Sequence, residues 1–438
     1  MRTFRLLMLL LPILMFNRGI AEDWPCWRGP RGDGSSHDAN LPIRWNGLTG
    51  EGVHWKVELP GSGHASPVVL GNAVFVVGCD ESAEERYLIC LDRDTGQQRW
   101  KRVVIQSPLE SKHRLNSHAS STPATDGKHV FVSFLEVDGR LVPAPNVGSP
   151  RDITPGTMVI ACYDYDGKLQ WRKNVGSFLS AHGYCSNPVL FKDLVIVNGD
   201  HDGDSYIVAL RKSDGEVVWK SERKHKTRSY CTPLIRRHQN QFQMVLSGSQ
   251  HIMSMNPETG EPHWFLEGPT EQFVASMVEK DGDFFAVAGY PTYHVISING
   301  GGAGNITNSH VNWHVTNARC YVPSPVVVGN YLVVADDRGT ANCFSVLDGT
   351  RVWQERLGRS YSASLVTFDG QVAFIADDGI VKIVKPGPTC EVLSENPLGE
   401  WCSSSPAIAD GQWFIRGEKH LFCIGKRQNT NPKFRIPA

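Results

Sequence analysis

The sequence predicts an all-β protein: an eight-bladed β-propeller of four-stranded blades, with the ring closed by an N-terminal strand. Three observations support this prediction: a unit that repeats along the chain, a tryptophan at a fixed place in that unit, and a spare strand before the first unit. Each unit has a start that is usually Ser/Thr-Pro, two apolar runs separated by a turn, and a Gly-x-x-x-Trp ending. The ending recurs at Gly96/Trp100, Gly167/Trp171, Gly215/Trp219, Gly260/Trp264 and Gly349/Trp353.

The length of the repeat is typical of propeller blades. A period of about 40 to 65 residues, with Val, Ile and Phe runs broken by Gly and Asp, suits four short antiparallel strands and leaves no room for crossover helices. A third strand such as residues 87–91 is followed by a hairpin turn in which Gly96 can take a positive φ. The eight units start at Pro67, Pro123, Pro188, Pro233, Met277, Pro325, Leu365 and Pro406.

The two ends of the repeat region complement one another. The eighth unit runs from Pro406 to Ile424 and stops before a fourth strand, whereas residues 53–57 form a tryptophan-bearing strand before the first unit. We therefore expect the N-terminal strand to complete blade eight, which removes an exposed sheet edge. The seventh unit lacks its tryptophan and has Pro386 and Pro388 where its outer strand should begin, so we expect that outer edge to be irregular.

Residues 1–21 have the features of an export signal. Arg2 and Arg5 precede an apolar run, and small residues up to Ala21 supply a cleavage site, so we expect cleavage after Ala21. A buried N-terminal helix is the alternative. The run is shorter than the roughly 20 residues that span a bilayer, so no transmembrane span is expected. The exported chain, periplasmic or secreted, then has an arm at 22–52, the propeller at 53–425 and a tail at 426–438.

Charge and cysteine content exclude several classes of protein. The chain has 44 Lys and Arg against 45 Asp and Glu, so no net field draws it to nucleic acid or to an anionic membrane. It has 11 cysteines but no Cys-x-x-Cys and no adjacent pair, which removes the spacing of zinc-ribbon and thioredoxin-like sites. Export permits disulfides, and the odd number leaves one thiol unpaired within the chain. Two interpretations remain open for four cysteines that recur at similar places in their units: they are small buried side chains, or they form disulfide bridges. These are Cys185, Cys231, Cys320 and Cys402.

The repeated unit resembles the pyrroloquinoline-quinone (PQQ)-type propeller repeat of the quinoprotein alcohol dehydrogenase-like family. The resemblance covers about residues 53–425. The arm sequence Trp-Pro-Cys-Trp-Arg-Gly-Pro at 24–30 resembles the opening of an exported branch that lacks the cofactor site. In this family a docking tryptophan packs between neighbouring blades. The resemblance implies that structural role for Trp55, Trp100, Trp171, Trp219, Trp264, Trp313 and Trp353.

The residues needed for quinone chemistry do not come with the repeat. A quinone enzyme of this superfamily needs a calcium ion held by side-chain oxygens, a carboxylate base and usually two adjacent, bridged cysteines. Adjacent cysteines are absent and this chain is shorter than those enzymes, so the resemblance implies the scaffold alone. We therefore expect no catalytic residue, no metal and no cofactor, and PQQ with calcium belongs only to the alternative reading.

Other catalytic motifs are also missing or incomplete. There is no Gly-x-Ser-x-Gly elbow and no His-Glu-x-x-His. The glycine run at 300–304 lacks the Lys-Ser/Thr of a phosphate loop. Asp200-x-Asp202-x-Asp204 imitates the start of a calcium loop but has Ser205 and Arg211 where glycine and glutamate are needed.

Charged and aromatic residues recur in loops that the topology places on one face. In a blade of strands A to D, the link from D to the next A and the hairpin from B to C emerge on the same side. Around a channel, such residues would form a funnel able to bind anions and to stack on rings. Alternatively, they neutralise one another's charges and satisfy the strand ends. The candidate ligand-binding residues are His118, His182, Tyr184, Arg228, Tyr230, Arg319, Tyr321, Arg359, Tyr361, Asp336, Asp337, Asp377 and Asp378.

These observations favour an exported, non-catalytic propeller that acts as a binding or scaffold module. Its funnel face would meet an envelope protein or a small anionic or sugar-like ligand, and rigid loops would lose little entropy on binding. The functional analogy is the propeller that assists outer-membrane protein assembly, although the lipid anchor of that protein is missing here. A proline-rich insertion between Leu135 and Met158 is expected over the same face. The alternative function is a quinone-dependent dehydrogenase of alcohols or sugars.

Overall fold

Eight antiparallel sheets form a propeller, as the sequence predicts. The structure is a computed structural model that describes residues 22–248 and 250–427. No α-helix occurs in these two ranges, so they contain no helix that could span a membrane. The predicted export signal and residues 428–438 of the predicted tail lie outside the described residues.

The first four blades follow the chain from inner strand A to outer strand D. Blade one consists of Val68–Leu70, Ala73–Asp80, Glu85–Asp92 and Gln98–Gln106. Blade two consists of Ala124–Thr125, His129–Val137, Gly156–Asp164 and Leu169–Phe178, and its B-to-C insertion forms a small hairpin of Val142–Pro143 with Asp152–Ile153. Blade three consists of Val189–Phe191, Leu194–Gly199, Tyr206–Arg211 and Val217–Glu222. Blade four consists of Leu234–His238, Gln241–Gly248, His251–Met255 and Pro262–Glu267.

The remaining blades keep this order, with two parallel additions and one strand from the N-terminal side. Blade five consists of Val278–Lys280, Asp283–Ala288, His294–Asn299 and Val311–Val315, and its Gly304–Asn305 pairs with the outer strand of blade four. Blade six consists of Val326–Val328, Tyr331–Ala335, Thr340–Ser345 and Arg351–Arg356. Blade seven consists of Val366–Phe368, Gln371–Ile375, Ile380–Lys385 and Glu391–Pro397, with Ser35–Ser36 against its inner strand. Blade eight consists of Ala407–Ala409, Gln412–Arg416, His420–Ile424 and Val53–Glu58.

Each Gly-x-x-x-Trp motif contributes to two different contacts between blades, which are called seams here. Its tryptophan packs against the next blade, and its glycine packs against the tryptophan of the preceding blade. Trp219 of blade three is buried, and its indole N–H donates to the carbonyl of Pro257 in blade four at 3.1 Å. Gly260 of blade four stands against that indole with φ +75°, where an added Cβ would lie 2.6 Å from the ring. The glycine of each motif therefore receives the tryptophan of the preceding blade. The other indole N–H groups donate to the carbonyls of Arg93 (Trp55), Tyr165 (Trp100), Lys212 (Trp171), Gly300 (Trp264), Val346 (Trp313) and Gly387 (Trp353).

Several cysteines are explained by the same seams. The strand C residue paired with a docking tryptophan is always small, which leaves room for the indole beside the sheet. Cysteine occupies that place opposite four tryptophans, and burial raises the pKa of the Cys90 thiol to about 12. All 11 cysteines are free. The four pairs are Cys90 with Trp100, Cys162 with Trp171, Cys343 with Trp353 and Cys423 with Trp55.

The Ser/Thr-Pro starts form a belt of hydrogen bonds around the channel. The backbone N–H of the start residue in one blade donates to the side-chain oxygen of the equivalent residue in the next blade, as from Ser324 to Ser364 at 3.0 Å, except that Asn187 donates to Thr232 through its side-chain amide. These N–H groups cannot join a sheet ladder at the axis, so the hydroxyls satisfy them. The belt runs through Ser66, Thr122, Asn187, Thr232, Ser276, Ser324, Ser364 and Ser405.

The ring closes as the sequence predicts. Val53–Glu58 pairs antiparallel with His420–Ile424 and forms the outer strand of blade eight. The Trp55 side chain packs between blades eight and one, and its indole N–H donates to the carbonyl of Arg93 in blade one at 2.8 Å. One strand from the N-terminal side therefore removes the open edge of the last blade.

The expectation of an irregular outer edge in blade seven is wrong. Glu391–Pro397 is an ordinary outer strand that begins after Pro386 and Pro388, its one register shift matches that of other blades, and Ser394 occupies the docking position. The arm supplies the missing aromatic group: the backbone N–H of Trp45 donates to Asn396 Oδ1 at 2.9 Å, and the Trp45 ring lies 5.8 Å from that of Trp413. The prolines cause no disorder because they lie in the turn, before the ladder starts.

The rest of the arm fills the channel at the face formed by the A-to-B hairpins. Trp24 exchanges backbone hydrogen bonds with Val69 of blade one, and the Gly34 carbonyl accepts the Thr367 N–H of blade seven at 2.8 Å. Arg28, 2% exposed, donates to the Pro325 carbonyl of blade six at 2.5 Å. The arm thus ties together inner strands that are distant in sequence.

Candidate functional site

The loops predicted to form the funnel lie on the other face, called the upper face below. It consists of the D-to-A links and the B-to-C hairpins, whereas the arm occupies the lower end of the channel. The predicted site residues divide there into a covered region over blades two to four and an open region over blades five to seven.

Arg228 belongs to the covered region. Its Nη1 donates to Asp202 Oδ1 at 2.6 Å, and the two side chains are 2% and 0% exposed. Burial raises the pKa of Asp202, and the adjacent guanidinium opposes that rise. Arg228 is therefore not free to bind a ligand in the way that the funnel hypothesis requires, because it is buried and its charge neutralises a buried carboxylate.

The proline-rich insertion of blade two covers this ion pair. The backbone carbonyl of Asn146 accepts a hydrogen bond from Arg228 Nη2 at 3.0 Å, and the Asn146 side-chain amide donates to the backbone carbonyl of Lys226 at 2.8 Å. A second buried pair lies nearby, with Arg223 Nε 2.8 Å from Asp200 Oδ1. The aspartates of the calcium-loop-like sequence are thus held by arginines.

A cluster of rings lies beside these pairs. His182 stacks on Tyr230 with ring centres 6.2 Å apart, and the Tyr230 hydroxyl is 2.9 Å from Ser180 Oγ. Burial, helped by the charge of Arg228, lowers the pKa of His182 to about 3, so this imidazole is neutral at physiological pH. The Tyr321 hydroxyl, further around the ring, donates to Gln272 Oε1 at 3.1 Å.

The two other predicted tyrosines are interior residues. Tyr184 and Tyr361 are 3% and 1% exposed. The Tyr184 hydroxyl is hydrogen-bonded to Ser133, and the Tyr361 ring packs 5.8 Å from that of Phe374. Neither ring is available for stacking on a ligand.

His118, Asp377 and Asp378 also contact their own loops. His118 is 8% exposed, with Nε2 3.1 Å from the Glu110 carbonyl. Asp377 is buried and accepts the Ser362 N–H at 2.8 Å, and the exposed Asp378 accepts the Ile380 N–H at 3.3 Å. These contacts match the alternative in which the residues stabilise the links and hairpins.

The open region contains a cleft over blade six, called the blade-six cleft. It has a volume of about 700 Å³. The cleft is bordered by the D-to-A links before and after blade six, by the B-to-C hairpin of blade six and by the upper end of its outer strand. Its lining residues are Asn317, Arg319, Asp336, Asp337, Arg338, Thr340, Gln354, Arg356, Arg359 and Ser360.

Four exposed arginines dominate the charge of this cleft. Among the described residues, no carboxylate lies within ion-pair distance of any of these four guanidinium groups, whereas Arg223 and Arg228 are paired. Asp336 is 3% exposed and its Oδ1 accepts the N–H groups of Arg338 and Thr340 at 2.8 Å, so the carboxylate is used by the turn. The cleft therefore carries an excess of positive charge.

The sequence analysis found only part of this cleft. It selected Arg319, Arg359, Asp336 and Asp337 as candidate ligand-binding residues, which the structure brings together, but it did not select Arg338 and Arg356. Arg338 directly follows the two named aspartates in the same hairpin. Arg356 ends an outer strand, and that end lies on the same face as the following D-to-A link, so the parity of the strands could have identified it.

Replacing Arg228 is expected to reduce stability. Arg228→Gln leaves Asp202 buried without its cation, and we expect a loss of about 2 to 3 kcal/mol at neutral pH, because the glutamine amide keeps part of the hydrogen bonding. Arg359→Gln, at an exposed position, should change stability by less than about 1 kcal/mol. Chemical denaturation of both variants measures the difference, and equal losses would contradict the assigned pairing.

The loss in Arg228→Gln should depend on pH. Without the guanidinium, burial raises the folded-state pKa of Asp202 further above its unfolded value of about 4. The folded state then binds the proton more tightly, so stability falls as the pH rises through the interval between those two pKa values. The defect should be smaller at pH 5 than at pH 8, and a pH-independent defect would indicate that Asp202 is not the affected group.

The described residues do not fit the calcium-dependent quinone site. No group of three or more His, Cys, Asp or Glu side chains in the described ranges is placed to hold one metal ion. The carboxylates of Asp200 and Asp202, in the calcium-loop-like sequence, are bound by arginines.

Comparison with known families agrees with the repeat. The sequence profile of the family described as outer membrane protein assembly factor BamB matches residues 37–143 and 151–355, which is more than half of the chain. The chain belongs to the PQQ-like β-propeller family. No curated protein matches this PQQ-like propeller.

Solved structures share the fold of this PQQ-like propeller at low sequence identity. BamB from Moraxella catarrhalis is 13% identical with a TM-score of 0.56, and the match covers 87% of this chain and 99% of that one. A europium-containing methanol dehydrogenase is 13% identical with a TM-score of 0.59, covering 90% of both chains. A quinohemoprotein alcohol dehydrogenase from Pseudomonas putida HK5 is 11% identical with a TM-score of 0.61, covering 94% of this chain and 82% of that one.

Proposed function

We propose that this PQQ-like propeller is an exported, non-catalytic scaffold that binds an envelope protein through its upper face. The export part of the proposal is supported by the basic and apolar residues before Ala21. The binding part is supported by the family profile, whose description is that of an outer-membrane assembly factor.

The observation that carries the proposal is the composition of the open half of the upper face. Tyr290, in the B-to-C hairpin of blade five, is 48% exposed, and Trp401, in the link between blades seven and eight, is 46% exposed. They are the only exposed Phe, Tyr or Trp side chains in the described part of the chain. The blade-six cleft lies between them in ring order. Aromatic residues and arginines are enriched where protein surfaces bind one another.

The scaffold is suited to this role because the loops do not have to fold on binding. The D-to-A links are anchored at their inner ends by the hydroxyl belt, and the blades that carry the links and hairpins are held together by the docking tryptophans and the arm. Association with a rigid surface loses less conformational entropy than association with a mobile one. Binding through preformed loops is therefore the function that the architecture supports best.

A photo-crosslinking residue at position 290 or 401 tests the proposal in the native cell. Both upper-face positions should form an adduct with the same envelope protein, identified by mass spectrometry. The matched control is Leu347, which is 80% exposed in a C-to-D hairpin of blade six on the lower face and should form no such adduct. Equal adducts from position 347, or no adduct from positions 290 and 401, would contradict the assignment.

The non-catalytic part is tested with PQQ and calcium added to the purified protein. We expect no change in the quinone absorption spectrum and no dye reduction with primary alcohols or aldoses. Turnover under these conditions would replace the scaffold assignment with a dehydrogenase.

A further inference from the structure

We propose that the blade-six cleft binds an acidic segment of the protein partner, with carboxylates of that segment paired to Arg319, Arg338, Arg356 and Arg359. This inference rests on the proposed function, because it assigns the chemistry of the partner to one place on the upper face.

The first argument is the imbalance of charge. Several exposed arginines elsewhere in the described chain pair with carboxylates, as Arg99 does with Asp92 at 2.6 Å and Arg211 with Asp214 at 2.7 Å, whereas none of the four cleft arginines does. The cleft has four guanidinium groups and two carboxylates, of which Asp336 is bound by backbone N–H groups of its turn. Like charges held close together repel one another, and an added anion relieves that repulsion.

The second argument is the geometry of the donors. Each guanidinium presents a planar set of N–H groups that matches the two oxygens of a carboxylate. The four side chains come from two links, one hairpin and one strand end, so they surround the cleft instead of lying in one row. Such an arrangement suits several carboxylates along a short piece of chain better than one small anion.

The third argument concerns the ligand classes that the cleft does not suit. None of its lining residues is aromatic, so there is no surface on which a neutral sugar ring could stack. Tyr290 and Trp401 lie on the neighbouring loops and can contact apolar residues that flank an acidic segment. The cleft and its surroundings therefore fit a peptide with clustered Asp or Glu and apolar residues beside them.

A fluorescein-labelled hexaglutamate peptide is a direct probe of the cleft. We expect saturable binding that weakens as NaCl rises from about 50 to 500 mM, because added salt screens charge pairs at an exposed site. A hexalysine peptide of the same length should not bind. If hexaglutamate does not bind even at low salt, the proposal is overturned.

The test variant carries glutamine at all four cleft arginines. It should bind hexaglutamate at least about 100-fold more weakly, since loss of two or more charge-assisted contacts removes about tenfold each. The matched control carries the same number of Arg-to-Gln changes on other exposed arginines and so has the same net charge. Its positions are Arg99, Arg102, Arg172 and Arg211. Equal weakening in both variants would show a general charge effect and overturn the site.

Two further measurements separate the remaining explanations. Inorganic phosphate that displaces hexaglutamate at micromolar concentration would show a small-oxyanion site, which contradicts the peptide proposal. Crosslinking from positions 290 and 401 in the four-arginine variant distinguishes this inference from the proposed function. Unchanged adducts there would overturn the acidic-segment inference while leaving the scaffold function in place, and lost adducts would support both.

A second inference comes from the start of the arm. Glu22 is fixed on all sides: its carboxylate oxygens bind Arg31 at 2.6 and 2.8 Å, and its carbonyl accepts the Asp410 N–H at 3.0 Å. The Glu22 backbone nitrogen donates to Asp38 Oδ1 at 3.0 Å. Asp38 is 3% exposed, its Oδ2 accepts the Gly411 N–H at 3.1 Å, and no described Lys, Arg or His lies within ion-pair distance of it.

We infer that cleavage after Ala21 creates an α-ammonium group on Glu22 that forms a buried ion pair with Asp38. Hydrolysis of the Ala21–Glu22 bond consumes one water, leaves a carboxylate on Ala21, and gives Glu22 an amine that is protonated at neutral pH. The nitrogen already lies at hydrogen-bond distance from the carboxylate. Processing would therefore supply the one cation that this buried carboxylate lacks and would fix the arm to blade eight.

The inference is tested with chains that start at Glu22 or keep one extra residue, Ala21. The chain that starts at Glu22 should melt several degrees higher, and Asp38→Asn should abolish that difference, since both partners of the pair are needed. Asp281→Asn, at an exposed hairpin, is the control and should leave the difference intact. An equal difference with Asp38→Asn, or a native N-terminus other than Glu22 by mass spectrometry, would overturn the inference.

Discussion

Deletion of residues 53–58 is expected to abolish the soluble monomer. The deletion removes the outer strand of blade eight and leaves the backbone groups of His420–Ile424 as an unpaired edge, which favours aggregation. It also removes Trp55, the contact between blades eight and one, and shortens the connection to the arm. We expect an unstable, aggregating product, measured by size-exclusion chromatography and thermal unfolding. A truncated protein that melts like the parent would contradict the closure.

A circular permutant is the control for this deletion. Arg427 and Glu22 both contact Asp410, so a short Gly/Ser linker can join position 427 to position 22. A chain that starts at Leu59 and ends at Glu58 retains every strand and the arm. It should be a soluble monomer with a melting temperature near that of the parent. Failure of both proteins would mean that covalent continuity at 58–59, and not the pairing of the strand, is what the ring requires.

The fold was predictable from the sequence because the seam between blades is built from local spacing. The Gly96/Trp100 pair and its repeats fix both the turn and the docking position, and the spare strand at 53–57 has one partner that lacks a neighbour. Pro386 and Pro388 misled the prediction for blade seven because the aromatic contribution of Trp45 comes from a segment 351 positions away from Asn396.

The site was less predictable because exposure depends on contacts that are distant in the chain. Arg228 and Arg359 stand in the same Arg-x-Tyr pattern, yet Arg228 is covered by Asn146, 82 positions away, and paired with Asp202, 26 positions away. The insertion of blade two covers blades three and four, whereas the hairpin of blade six is short and leaves its arginines open to solvent. Pattern repetition therefore located the loops but not which of them are free to bind.

Replacement of Trp219 by alanine should cause a large loss of stability. The indole fills the seam between blades three and four against Gly260, and its removal leaves a cavity whose cost is about 3 to 5 kcal/mol. Trp401 is the matched control, because the same substitution at a half-exposed position removes little buried area. Denaturant unfolding should show an early transition for Trp219→Ala and a nearly unchanged one for Trp401→Ala. Crosslinking to the partner should show the reverse, with a larger loss for Trp401→Ala than for Trp219→Ala. Similar losses of stability would mean that Trp401 is also wedged between blades, which would remove it from the proposed binding surface.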